Sequence, residues 1–272
     1  MSWWDDAVHR AVVEAVLAGA LAALIGVQVV LRRLSFFTMA LTHATFPGVV
    51  AAAILGVDIL LGGAVAGAIV AVGVAALSRR RGQDAAAATG VLLSGGFALG
   101  VGLIATQHGF RRDLSSFLVG SILTVSPRDL ATTAVLLVVV AAVLTVCARP
   151  LLFAGFDPAG ARAAGLNTGA LDLVLLLSIE AVIVTVVPAV GTILALALIV
   201  APAAAARLWS DRLPVITALA VAFGFVSGVA GLAASAEWNV AAGASITLTA
   251  TVILLASWLR RYAGRRPGRT WP

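Results

Sequence analysis

LRRLSFFTMALTHATFPG, running from Leu31 to Gly48, is the stretch whose reading decides the fold. Two arginines close one apolar run, and shortly into the next stands a histidine flanked by threonines, followed by Phe46, Pro47 and Gly48. Polar atoms inside so apolar a context need a partner or a purpose, because leaving them unpaired away from water is costly. Two readings follow from the residues. His43, Thr42 and Thr45 are hydrogen-bonded packing residues of a helix, or they line a path for something polar.

Working outward, composition sets the class. The 272 residues are 61% hydrophobic and 11% charged, and the mean hydropathy is +1.09, far outside the range of ordinary soluble domains. The chain reads as an all-α polytopic membrane protein. A net charge of +6 would suggest nucleic acid in a soluble protein, but here the arginines fall between apolar runs, so membrane topology accounts for them and no nucleic-acid partner is expected. All 18 basic residues are arginine, which excludes a GxxxxGK phosphate loop and Schiff-base chemistry. The single cysteine, Cys147, excludes a disulfide framework and reads as a small buried hydrophobe. HExxH, GxSxG and paired-aspartate protease motifs are missing, so the chain is not read as an enzyme.

The start, MSWWDDAVHR, is acidic and aromatic where a cleavable signal would be basic and then apolar. Residues 1–11 are read as an interfacial N-terminus anchored by Trp3 and Trp4. A hydrocarbon core of about 30 Å takes roughly 20 helical residues. On that ruler nine apolar segments emerge, at about 12–31, 41–56, 59–77, 85–105, 130–148, 171–187, 190–206, 214–234 and 241–259, the second and seventh short. Eight spans result if the second enters without crossing. The whole chain, 1–272, reads as one membrane domain, with the bundle at 12–259 and a basic cytoplasmic tail at 260–272. Placing Arg32 and Arg33 in the cytoplasm puts 14 of the 18 arginines on that side, leaving Arg10, Arg111, Arg112 and Arg128 outside. The skew predicts N-terminus outside and C-terminus inside.

Two connecting stretches are unlike simple loops. DLSSFLVGSILTVSPRD, from Asp113 to Asp129, is semi-apolar and ends in a Ser126-Pro127 helix start, which predicts a short helix at the outer face. FDPAGARAAGLNTGALDL, from Phe156 to Leu173, has Asp157 as cap, Pro158 in the first turn and Gly165 as terminator, which predicts a short cytoplasmic helix. It is either a plain connector or a docking surface for a partner. The recurrent glycines, Gly63 and Gly67 among them, are read as close-packing positions.

Ionisable residues within the apolar segments are few: Glu14 and Asp58 near ends, His43, and Glu180 near mid-depth. Such groups are functional candidates by default. Met39 lies four residues before His43 and so on the same helical face, and imidazole with a thioether suits a borderline or soft transition metal. His9 and His108 read as solvated.

VLRRLSFFTMALTHATFPGV, DLSSFLVGSILTVSPRDL, ARAAGLNTGALDL, VGTILALALIVAPAAAARL and GLAASAEWNVAAGASI stand in an order and spacing that resemble one family. It comprises the integral membrane permeases of ATP-binding-cassette importers for zinc and manganese. The resemblance implies a type II-like permease of the cell membrane that works as a homodimer. It further implies a cytoplasmic ATP-binding subunit, an extracytoplasmic metal-binding protein, and no cofactor in this chain. It makes 156–170 a coupling segment, with Ala159, Arg162, Gly165 and Asn167 facing the ATPase. In that family the second segment has an aspartate four residues before its histidine, whereas here Met39 precedes His43; a later aspartate is Asn239, and a proline two residues on is Ala241. Losing the hard oxygen ligand tilts the expected cargo to zinc, with His43, Met39 and Glu180 as metal-facing residues. Manganese or iron import, or a membrane scaffold or sensor of the same fold, are the alternatives.

Overall fold

The computed structural model describes residues 7–77, 85–105 and 120–263, and they are almost entirely helical. The elements are α1 (Ala7–Leu31), α2 (Ser35–Ala44), α3 (Phe46–Leu55), α4 (Ile59–Leu77), α5 (Ala85–Ala105), a 3-10 turn (Ile122–Thr124), α6 (Pro127–Val146), α7 (Ala148–Phe156), α8 (Pro158–Ala163), α9 (Thr168–Val190), α10 (Thr192–Arg207), α11 (Leu213–Trp238) and α12 (Ala242–Ala263). Seven helical stretches among the described residues are long and apolar enough to cross a membrane, taking α2 and α3 together as Ser35–Leu55. Shorter apolar helices occupy Thr89–Leu103 and Leu194–Arg207.

Helix α1 is the axis of the bundle. Every residue from Ala18 to Val29 is buried, so this helix has no lipid-facing side along its middle. It packs against α11, α10, α6 and α9. Small residues make the enclosure geometrically feasible: a Cβ added to Gly19 would strike the backbone of Gly224 on α11, and the reverse also holds. Since lipid tails are as apolar as the helices, association depends on such close van der Waals approach.

At Arg32 and Arg33 the chain turns back on itself. Leu34 N–H donates to the Val29 carbonyl at 2.8 Å and Arg33 N–H to Val30 at 3.3 Å, the paired bonds of a Schellman end. Arg33 takes the left-handed position at φ 57°, where glycine is the residue of least strain. The next helix therefore starts at Ser35, six residues before the expected 41, and Ser35–Leu55 gives 21 residues in place of a short segment. The start of the second segment at 41 is corrected by the turn, which is too tight to leave Ser35 to Ala40 outside the helix. Pro47 has no N–H for the carbonyl of His43, four residues earlier, so the helix divides at Thr45 into α2 and α3.

At the other end of the bundle, Ser126 and Asp129 form a capping box that starts α6, as the Ser126-Pro127 signal predicts. Of the expected outer-face helix, only the turn at Ile122–Thr124 is described; residues 113–119 lie outside the described residues, as do Trp3, Trp4, Arg79, Arg80, Arg81, His108, Arg111, Arg112, Arg265, Arg266 and Arg269.

The glycine contact yields a direct test. Gly19→Val forces α1 and α11 apart and is expected to destabilise by about 1–3 kcal/mol or more, whereas Gly95→Ala meets open space and should be close to neutral. Thermal unfolding of the purified protein in lipid nanodiscs compares the two.

Candidate functional site

The threonines of the opening stretch take the packing reading. Thr38, Thr42 and Thr45 are buried, and their hydroxyls donate to backbone carbonyls of Leu34 (3.0 Å), Met39 (2.7 Å) and Thr42 (3.3 Å) respectively. Such bonds satisfy a polar side chain within its own helix and leave little for a ligand. Met39 and His43 differ. Within the buried run from Phe37 to Phe46, they are the two residues that keep accessible surface, one helical turn apart on the same face of α2. The imidazole packs edge-on to Phe97 of α5, ring centroids 6.1 Å apart, and Phe97 in turn stacks on Phe46. This holds the ring while leaving its nitrogens without a hydrogen bond among the described residues.

Glu180 sits elsewhere. It is 2% exposed on α9, and neither carboxylate oxygen has a hydrogen-bond partner among the described residues. Its carboxyl occupies the space that a side chain at Gly67 of α4 would need, while Val184, one turn along, lies over Gly63. The two glycines thus form a groove for one face of α9. Met39 and His43 are brought together, whereas Glu180 faces α4 and His43 faces α5. Among the described residues no group of three or more His, Cys, Asp or Glu forms a metal cage.

The expected coupling segment folds as its residues dictate. Asp157 caps α8 by accepting from Gly160 N–H at 2.8 Å. Gly165 takes φ 82° and ends it, with Leu166 N–H donating to Ala161 at 3.0 Å. Asn167 then caps α9 through Ala170 N–H at 3.0 Å. Ala161 is buried and fixes the helix to the bundle, while Ala159, Arg162, Gly165 and Asn167 are all exposed. Beside them lies a cavity of about 940 Å³ lined in part by Arg32, Arg33, Phe36, Thr89, Arg162 and Asp172. Arg32 spans its wall, donating to Asp172 at 2.7 Å and to the Leu151 carbonyl at 2.6 Å. It ties the end of α1 to α7 and α9, a structural role that its place between apolar runs did not reveal.

Glu14 is the residue that the sequence understated. Read as lying near an end, it is 1% exposed on α1, with Oε1 accepting from Thr133 at 3.0 Å and Oε2 without a partner among the described residues. Asp58 has an ordinary role, capping α4 through Leu60 N–H at 2.8 Å.

The model of the ABC 3 transport family matches residues 5–261, almost the full chain. The chain belongs to the ABC 3 transport family. This ABC 3 member is 35% identical over 245 residues to the manganese transport system membrane protein MntC of Halalkalibacterium halodurans, covering 90% of this chain and 84% of that one. It is 33% identical over 265 residues to the zinc transport system membrane protein TroC of Treponema pallidum, covering 93% and 88%. Among solved structures it resembles PsaBC from Streptococcus pneumoniae in complex with Fab, with a TM-score of 0.82 at 32% identity over 92% of this chain and 90% of that one. A metal-chelate type ABC transporter in an inward-facing conformation shares the fold alone, with a TM-score of 0.70 at 16% identity over 92% of this chain and 85% of that one. The ABC 3 chain is thus a multi-pass permease subunit of a metal-importing transporter in the cell membrane. It is not itself an enzyme: ATP hydrolysis belongs to a separate subunit, and a substrate-binding protein completes the system.

The Gly67–Glu180 contact predicts non-additive energetics. Gly67→Ala should destabilise the wild type through its collision with the carboxyl, and Glu180→Ala should relieve that cost. Melting temperatures of the four members of this cycle measure it; equal effects of Gly67→Ala in both backgrounds would refute the contact.

Proposed function

We propose that this permease moves a divalent transition-metal ion past Met39 and His43. The observation that carries the reading is the pair itself: in an otherwise buried helical run, a thioether and an imidazole alone stay accessible, on one face, beside the break at Pro47. A site that passes its ion onward needs few ligands and weak grip, which two side chains on one helix supply. Glu180, buried within the adjoining helix pair, is the third candidate, adding negative charge at mid-depth.

The expectation of zinc rested on methionine standing where the family has an aspartate. Relatives named for manganese outnumber the relative named for zinc, so donor chemistry at one position does not make zinc the leading cargo. The proposed class is manganese or zinc. In the proposed topology, Ser35–Leu55 is one bent crossing, and Thr89–Leu103 and Leu194–Arg207 bring the crossings to nine, with the N-terminus outside and the C-terminus in the cytoplasm. The permease pairs as a homodimer. The exposed ridge Ala159, Arg162, Gly165 and Asn167 docks on the ATP-binding subunit, so that closure of the ATPase pair shifts the bundle between outward-open and inward-open arrangements.

Three experiments test this reading. In proteoliposomes with the cognate ATPase and binding protein, His43→Ala is expected to abolish uptake of manganese and zinc while assembly persists. Met39→Asp should move the preference toward manganese in a competition assay. Unaltered uptake by His43→Ala would remove this helix face from the path and favour a scaffold role for position 39. Separately, Arg162→Ala or Gly165→Leu should lower metal transported per ATP hydrolysed without preventing assembly; an unchanged ratio would take the segment out of the coupling.

A further inference from the structure

We propose that the cavity at the α6-start end of the bundle, bounded by α1, Leu60 of α4, α6, the C-terminal end of α9 and the 120–125 segment, binds a hard, oxygen-coordinated cation. The cavity has a volume of about 80 Å³ and its walls include Glu14, Ser121, Thr124, Asp129, Thr133 and Thr185. Among its described lining residues there is no arginine, histidine or lysine.

The case rests on how the protons are spent. The Thr124 hydroxyl donates to the Ser121 carbonyl at 2.9 Å, and Thr185 donates to Ala181 at 2.9 Å. Thr132, also in the wall, donates to Arg128 at 2.9 Å. Thr133, with one proton to share, lies 3.0 Å from Glu14 Oε1 and 3.0 Å from the Asp129 carbonyl. Each of these hydroxyls therefore turns lone pairs, not a proton, toward the cavity. Of the backbone groups, Ser121 N–H is given to the Pro188 carbonyl at 3.0 Å, and the Val125 carbonyl on the rim accepts from Arg10 Nε at 3.1 Å.

Glu14, 1% exposed, is part of this wall, and its Oε2 has no donor among the described residues. Asp129 is a second carboxylate, its Oδ2 held by Ser126 N–H at 2.9 Å and Ser126 Oγ at 2.8 Å. A lining of carboxylate, hydroxyl and carbonyl oxygens, without nitrogen or sulfur ligands, selects hard cations. The volume equals about two to three waters at roughly 30 Å³ each, room for an ion with part of its hydration shell. The chemistry is the opposite of the thioether and imidazole at Met39 and His43. The two sites are independent, and failure of either proposal leaves the other standing.

Sodium and calcium share this chemistry and separate by titration. The full chain in lipid nanodiscs is heated at constant ionic strength in choline chloride, with sodium chloride or calcium chloride replacing part of the choline. The expected result is a saturable rise in melting temperature for at least one of the two ions, with the half-saturating concentration raised at least tenfold in Glu14→Gln. Thr133→Val, which removes one lining hydroxyl, should weaken the response in the same direction and decides the matter should Glu14→Gln fail to accumulate. No rise beyond choline in the wild type overturns the proposal. So does a wild-type titration curve in the variants.

Discussion

Close approach to α1 is the constraint on which the rest of this structure depends. A helix wholly enclosed from Ala18 to Val29 can be reached on every side only if its neighbours present backbone or methyl groups, and the Gly19–Gly224 contact shows how near they come. In lipid there is no water to expel between helices, so contact quality carries the association. Enclosing α1 by α11, α10, α6 and α9 fixes where those helices lie. The pair α2–α3, joined to α1 by the two-arginine turn, is then placed beside it, with the Met39 and His43 face as the accessible remainder. The site's geometry is in this sense a consequence of packing around one helix.

Much of this was legible from residues alone. Each of the nine apolar segments lies largely on helix, the second across two, because hydropathy and length report directly on what the membrane tolerates. The caps at Asp157 and Ser126 were equally readable, since orphaned backbone groups at a helix end require specific side chains. What composition misplaced were boundaries set by turns. Ser35 through Ala40 belongs to α2 because Arg33 adopts a left-handed conformation that local sequence, lacking glycine there, gives no reason to expect. Residues 149–155 were assigned to no element, yet Ala148–Phe156 is a helix, held at Leu151 by Arg32 from 119 positions away. A long-range bond of that kind leaves no local trace.

The chemistry was legible only by halves. Spacing placed Met39 and His43 on one face, but periodicity could not say which face of α2 stays accessible, nor that the threonines are spent on their own backbone. Family membership supplies the general role.

The two buried glutamates make the remaining distinction clear. Glu180 and Glu14 have almost the same burial, yet their surroundings call for different accounts. Glu180 lies over Gly67 in a groove whose neighbouring contact is Val184 on Gly63, so its place is fixed by shape, and its oxygens meet no donor. Glu14 has one oxygen bonded to Thr133, the other without a donor among the described residues, and a cavity beside it whose wall it shares with hydroxyl-bearing side chains and Asp129. An ionised carboxylate left unpaired in hydrocarbon costs several kcal/mol, and that cost has different remedies at the two positions. Beside Gly67 the helices α4 and α9 would have to separate to admit a ligand, which couples any occupant of Glu180 to helix motion. Around Glu14 the proposed cation would supply the compensation from the adjoining cavity. A buried carboxyl is thus not one kind of feature in this bundle: at position 180 it is bound up with helix packing, and at position 14 with the cavity beside it.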